Sequence, residues 1–153
     1  MTRFENAPFS ERIKELGDTA ETVFEQWAEQ HGITFVRLGL NRPPFQHLYK
    51  VNKLIRLMPD YLCEGTDTVL VEVKGCGLEG LKIKHESFDI MAVWSAIQPL
   101  KIFIYNSATK ATALLTLNEL AELRLTKDTQ AFPDGKLFVT IPITEIKWEP
   151  WKH

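Results

Sequence analysis

Residues 101–106 (KIFIYN) form an apolar run with no polar alternation, closed before by Pro99 and after by Ser107. A strand with one wet face alternates in polarity. One without alternation is covered on both faces, in the middle of a sheet. The rest of the chain must therefore supply elements to both sides of that sheet, and helices are the usual cover. With 153 residues, 44% of them hydrophobic, the chain is long enough for one sizeable core. There is no internal repeat, low-complexity tract or Gly/Ser linker, so a single domain over 1–153 is expected.

The other elements follow from periodicity. Ser10 is the expected cap of a first helix, whose apolar stripe runs through Ile13, Leu16, Ala20, Phe24, Trp27 and Ala28 and stops near His31-Gly32. Residues 33–40 read as a strand, broken by Asn41-Arg42-Pro43-Pro44, and residues 45–52 as either loop or strand. Two strands are expected over 53–63 and 68–76, joined by a turn at Glu64-Gly65-Thr66-Asp67, with Gly75, Gly77 and Gly80 marking a flexible exit. Residues 87–98 form a helix stopped by Pro99. After the apolar strand come a strand over 112–117, a short helix capped by Asn118, a loop over 124–136 and a last strand over 137–143. The fold class is α/β: a mixed β-sheet flanked by helices, in the order αβββαβ with a helix/strand tail.

No segment reaches the roughly 18–20 uncharged apolar residues of a membrane helix, and the first residues lack the apolar block of a signal peptide. A soluble, cytoplasmic protein is expected. Cys63 and Cys76 have no zinc-type spacing and read as reduced packing residues. No Gly-rich phosphate loop or nucleophile elbow is present. The net charge is −2, but residues 30–59 contain no acid and hold Arg37, Arg42, Lys50, Lys53 and Arg56, which leaves −7 on the remainder. A local basic face of this kind is the footprint of phosphate binding.

Three ionisable residues interrupt the hairpin: Asp60 in RLMPDYLC, and Glu72 and Lys74 in VLVEVKGC. Glu72 and Lys74 share a face with Leu70 and Cys76, while Val69, Val71 and Val73 take the other. A three-residue loop, Gly65-Thr66-Asp67, sets Asp60 opposite Glu72. A four-residue loop would send the two carboxylates to opposite faces. Side by side they repel unless a cation joins them. Lys74 neutralises one; a hard ion such as Mg2+ or Mn2+ neutralises both, using Asp60, Glu72 and the carbonyl of Val73. Beside such an ion, Lys74 is placed to position the attacking water. The plainer alternative is an exposed hairpin face with one Glu–Lys salt bridge.

The MPD at 58–60 and EVK at 72–74 resemble the PD-(D/E)XK nuclease superfamily, which includes restriction endonucleases and Holliday-junction resolvases. The resemblance implies a restriction-endonuclease-like core of helix, three-strand meander, helix and strand, here from about residue 10 to 106. It also implies metal-dependent hydrolysis of DNA phosphodiesters. A Glu on the first helix often completes the metal site in that family. The segment GDTAETVFEQWAEQHGI resembles the resolvase-like helix, with Gly17 followed four residues on by Glu21; Glu25, one turn further, is the rival. In a resolvase-like arrangement Lys82, Lys84 and His85 would face the DNA backbone beside the second helix. Cutting both strands usually takes two sites, so a homodimer or higher homo-oligomer is expected. The competing expectation is a non-catalytic DNA-binding or assembly module on the same fold. Asp89 and Trp94 are expected at the helix surface and in the core. Trp148 and Trp151, with Phe132 and Phe138, are expected to close the core or a dimer contact. His31 and His47 have no partners at metal-ligand spacing.

Overall fold

The computed structural model describes residues 9–39 and 52–152 and, in the first helix, side chains from Thr19 onward. The elements are α1 (Phe9–Gln30), β1 (Thr34–Arg37), α2 (Lys53–Arg56), β2 (Tyr61–Glu64), β3 (Thr68–Cys76), β4 (Leu81–Lys84), α3 (His85–Ser95), β5 (Leu100–Asn106), β6 (Ala111–Thr116), α4 (Leu117–Leu125), β7 (Gln130–Ala131), β8 (Leu137–Ile141), a 3-10 turn (Ile143–Glu145) and β9 (Glu149–Pro150). A six-stranded sheet runs β1-β2-β3-β5-β6-β9, and a smaller one runs β4-β8-β7. Every pairing in the large sheet is antiparallel except β3 with β5. A parallel pair cannot be closed by a hairpin, and here β4 and α3 make the crossover. The mixed sheet flanked by helices, and the order αβββαβ on it, are those expected.

The unalternating run at β5 is explained by two apolar layers. Leu100, Ile102 and Ile104 join Leu70, Cys76, Met91 of α3, Leu120 of α4 and the inward residues of β4 and β8. Phe103 and Tyr105 face the other way, onto Ala20, Val23, Phe24 and Ala28 of α1. Those α1 positions fall at helical spacing, which gives the helix one apolar face. Phe24 fills that layer, its ring centroid 4.6 Å from Tyr61 and 5.2 Å from Phe103. Truncating such a side chain to Ala costs about 3–5 kcal/mol.

Several boundaries differ from expectation. Residues 53–63 are not one strand. Asn52 accepts the Leu54 N–H at 2.8 Å and caps the short helix α2, and Pro59, which has no N–H to give a ladder, delays β2 to Tyr61. Helix α1 already includes Ser10, which is thus inside it rather than its cap. Helix α4 is capped by Thr116, in a reciprocal box with Glu119, and Asn118 is helical. The glycine-rich exit leads into strand β4, not a loop: Gly80, at φ +102, lets the chain approach β8 where a Cβ would meet the Ile141 carbonyl at 2.8 Å. Helix α3 starts two residues early, at His85, and the 124–136 loop contains β7. The expected strand over 33–40 is Thr34–Arg37, and the one over 137–143 stops at Ile141. Of the loop-or-strand segment 45–52, residues 45–51 lie outside the described residues and Asn52 is the cap of α2. Trp148 and Trp151 pack on the two apolar layers, Trp148 donating to the Ile143 carbonyl at 2.8 Å, and so close the core. Trp94 packs half-buried on the core and Asp89 is exposed, as expected. No helix among the described residues is long and apolar enough to cross a membrane.

Candidate active site

The β2–β3 register pairs Glu64 with Thr68 and Tyr61 with Val71, the outcome of the three-residue loop. Strand β2 stops one residue short of the Asp60–Glu72 rung. Along β3, backbone groups alternate in direction: the Leu70 N–H points to β5, bonding Pro99 O at 2.8 Å, so the Val73 N–H points to the hairpin side. Pro59 would be its partner there. Instead the Asp60 side chain accepts it, Oδ2 at 2.8 Å. The N–H and C=O of one strand residue leave on the same side, so the Val73 carbonyl is directed to the gap where β2 has ended. The Asp60 backbone is fixed in turn, its carbonyl accepting the Leu38 N–H at 2.8 Å.

Glu72 is the only charged residue type among the buried polar side chains described, with 9% of its surface exposed. It shares its face with Leu70 and Cys76, which belong to the layer under α3 and α4, while Val71 and Val73 lie under α1. Its carboxyl is pushed well above the ordinary carboxylate range, chiefly by burial. Lys74 opposes this. Asp60 and Glu21 add to it by charge repulsion. The Glu72 carboxyl thus feels the charges of three other side chains, Lys74, Asp60 and Glu21.

Glu25, the rival helix carboxylate, is engaged elsewhere: it forms an ion pair with Arg37 and accepts the Tyr61 hydroxyl at 2.7 Å. Glu21 adds its charge to the field at Glu72.

The basic candidates are dispersed. Arg37 is exposed and committed to Glu25. Arg42 and Lys50 lie outside the described residues. Lys53 pairs with Glu86 at 2.9 Å, and Arg56 adds its charge near the same carboxylate. Lys82 and Lys84 stand on β4 with their ammonium groups over the Phe132 ring, at 6.0 and 5.5 Å from its centre, and His85 Nε2 is 3.3 Å from the Thr129 hydroxyl. Phe132 itself stacks on Phe138 at 3.9 Å. Sequence reasoning missed Glu86 and Lys136, which share a cleft of about 330 Å³ with Lys53, Lys84 and His85. No spacing signal joins residues so far apart; the pairing of β4 with β8 brings Lys136 to Lys84, and an ion pair brings Lys53 to Glu86.

Among the described residues no group of three or more His, Cys, Asp or Glu side chains is gathered tightly enough to hold a metal ion. The donors near Glu72 nonetheless suit a hard divalent cation: two carboxyls, one of them buried beside other acids, a backbone carbonyl and no soft ligand.

No family model and no curated protein matches the chain. Among solved structures it is similar to Hjc, a Holliday junction resolvase from the archaeal hyperthermophile Archaeoglobus fulgidus, with a TM-score of 0.47 and 8% identity over 81% of this chain and 83% of that one. A likeness this slight says nothing of chemistry.

Proposed function

We propose that the chain is a metal-dependent endodeoxyribonuclease that hydrolyses DNA phosphodiesters at Asp60, Glu72 and Lys74. The observation that carries this reading is the buried Glu72 carboxyl held beside Asp60, Glu21 and Lys74. Burying an acid next to two others is costly for the fold alone, and a cation relieves it. Asp60, Glu72, the Val73 carbonyl and Glu21 would hold Mg2+ or Mn2+. When bound, that ion would neutralise the carboxylates and offset the charge that develops on the phosphate. Lys74, on the same face as Glu72, would orient the attacking water and hold a proton at its Nζ. The Val73 N–H keeps the Asp60 carboxylate turned toward β3. The basic residues would hold the backbone: Lys82, Lys84, His85 and Arg56, together with Arg42 and Lys50, and with Arg37 and Lys53 once released from their carboxylates.

The protein would act as a soluble intracellular homodimer or higher oligomer, since one site cuts one strand. A non-catalytic DNA-binding module would keep the basic residues but has no use for the acidic cluster around Glu72. The test is cleavage of a plasmid and of a four-way junction with Mg2+ or Mn2+, comparing wild type with Asp60→Ala. Cutting that needs the metal and Asp60 supports the enzyme. DNA binding without cutting under every condition points to the module.

A further inference from the structure

Three lysines from distant parts of the chain line one cleft. Lys53 comes from α2, Lys84 from the end of β4, and Lys136 from the turn between β7 and β8. That turn is well tied: Phe132 N donates to Lys136 O at 2.9 Å, Gly135 N to Phe132 O at 2.8 Å, and Lys136 N to Asp134 Oδ1 at 3.0 Å. The Lys84 ammonium sits over the Phe132 ring, 5.5 Å from its centre, and Lys84 lines the cleft. Lys84 and Lys136 make no ion pair among the described residues, whereas Lys53 does, with Glu86 on the first turn of α3.

Glu86 is the informative member. It is a half-buried carboxylate set among cations from two parts of the chain, held by Lys53 and under the added charge of Lys136 and of Arg56, which shares α2 with Lys53. A group of cations gathered around one internal anion is what an oxyanion site looks like when its own chain fills it. Asp89 is the other acid in the lining, so with His85 neutral the cleft carries a small positive excess.

We propose that the cleft between α2, the β4–α3 junction and the β7–β8 turn binds a phosphate of the DNA backbone through Lys84 and Lys136, and that Glu86 is a built-in competitor which DNA displaces from Lys53. This rests on the nuclease reading and extends it to the tail of the chain, which presents Lys136. Glu86 thus lowers the affinity for DNA by occupying Lys53.

The test is binding of a short fluorescent DNA duplex in EDTA, where nothing is cut, followed by anisotropy over a range of salt. Lys136→Ala should weaken binding and lower the salt slope by about one, the loss of one phosphate contact. Glu86→Gln should tighten binding by about two- to fivefold, the range spanned by exposed charge pairs. Glu122→Gln removes the same charge from the exposed face of α4 and should leave affinity unchanged. Equal tightening by Glu122→Gln would reduce the effect to overall charge and overturn the proposal. Indifference of both Lys136→Ala and Glu86→Gln in a protein that binds DNA overturns the cleft alone. A wild-type protein that binds no DNA overturns the nuclease reading with it.

Discussion

The backbone N–H of Val73 donates to the Asp60 carboxylate at 2.8 Å, so a side chain takes the place of the next rung of the β2–β3 ladder. Asp60 therefore has a structural task beside its proposed chemical one, and the two separate by substitution. Asp60→Asn keeps an acceptor oxygen for Val73, whereas Asp60→Ala leaves that N–H unmet, at a cost on the order of 1 kcal/mol. Both variants should lose cleavage, and only Asp60→Ala should unfold at lower urea. Wild-type cutting by Asp60→Asn would remove Asp60 from the metal set.

Glu72 gives the pH dependence. Its folded pKa lies above the unfolded value, so the folded state holds the proton more tightly. The stability this confers is present below the unfolded carboxylate pKa and is lost as pH rises through the raised folded value. In EDTA the wild type should thus lose stability relative to Glu72→Gln as pH increases across that window. Melting curves of the two proteins over a pH series read the difference. Added Mg2+ should restore the wild type and not the variant. A wild-type advantage that grows with pH is the contrary result.

Much of this was legible in the sequence, and for identifiable reasons. The hairpin register follows from the length of one loop, and the two-sided burial of β5 from its lack of alternation. The resemblance points to Glu21 or Glu25 on the first helix and does not choose between them, because the contacts that differ are tertiary: Glu25 bonds Tyr61 and Arg37, while Glu21 adds its charge at Glu72. The strand expected over 53–63 begins only at Tyr61: apolar Leu54, Ile55 and Leu57 mimic a strand in sequence, while a local cap at Asn52 and the anchoring of Leu54 O by Trp94 Nε1 at 3.0 Å make a helical turn. The Glu86 cleft was invisible because it depends on β4 pairing with β8, across more than fifty intervening residues.

The cysteines test the register by an independent route. Cys63 pairs with Val69 and faces the α1 layer, Cys76 faces the other, and both are free and buried. Burial pushes the Cys63 thiol up to about 11 and the Cys76 thiol up to about 12, where the reactive thiolate is scarce. Ellman's reagent should titrate both thiols in the denatured, unreduced protein, and modify them slowly in the native one at neutral pH. A Cys63–Cys76 bridge would refute the register, since the two lie on opposite faces of the sheet.

The two helix carboxylates offer the sharpest separation of chemistry from architecture. Glu21 and Glu25 are one turn apart on α1, and both are half-buried. Glu25 holds the hydroxyl of Tyr61, which is fully buried in the α1 layer, and the guanidinium of Arg37 on β1. Glu25→Gln should therefore loosen the tie between α1 and the meander and lower the melting temperature, while Mn2+ binding by the folded protein stays close to wild type. Tyr61→Phe removes one hydrogen bond of the same set and should cost about 1 kcal/mol, with the same indifference to metal. Glu21→Gln should do the opposite. Its charge raises the energy of the ionised Glu72, so removing it eases the metal-free protein while subtracting a proposed ligand. The melting temperature in EDTA should hold or rise, and Mn2+ affinity by calorimetry should fall. If Glu25→Gln weakens Mn2+ and Glu21→Gln does not, the helix carboxylate of the site is Glu25, and Arg37 and Tyr61 become its positioning partners.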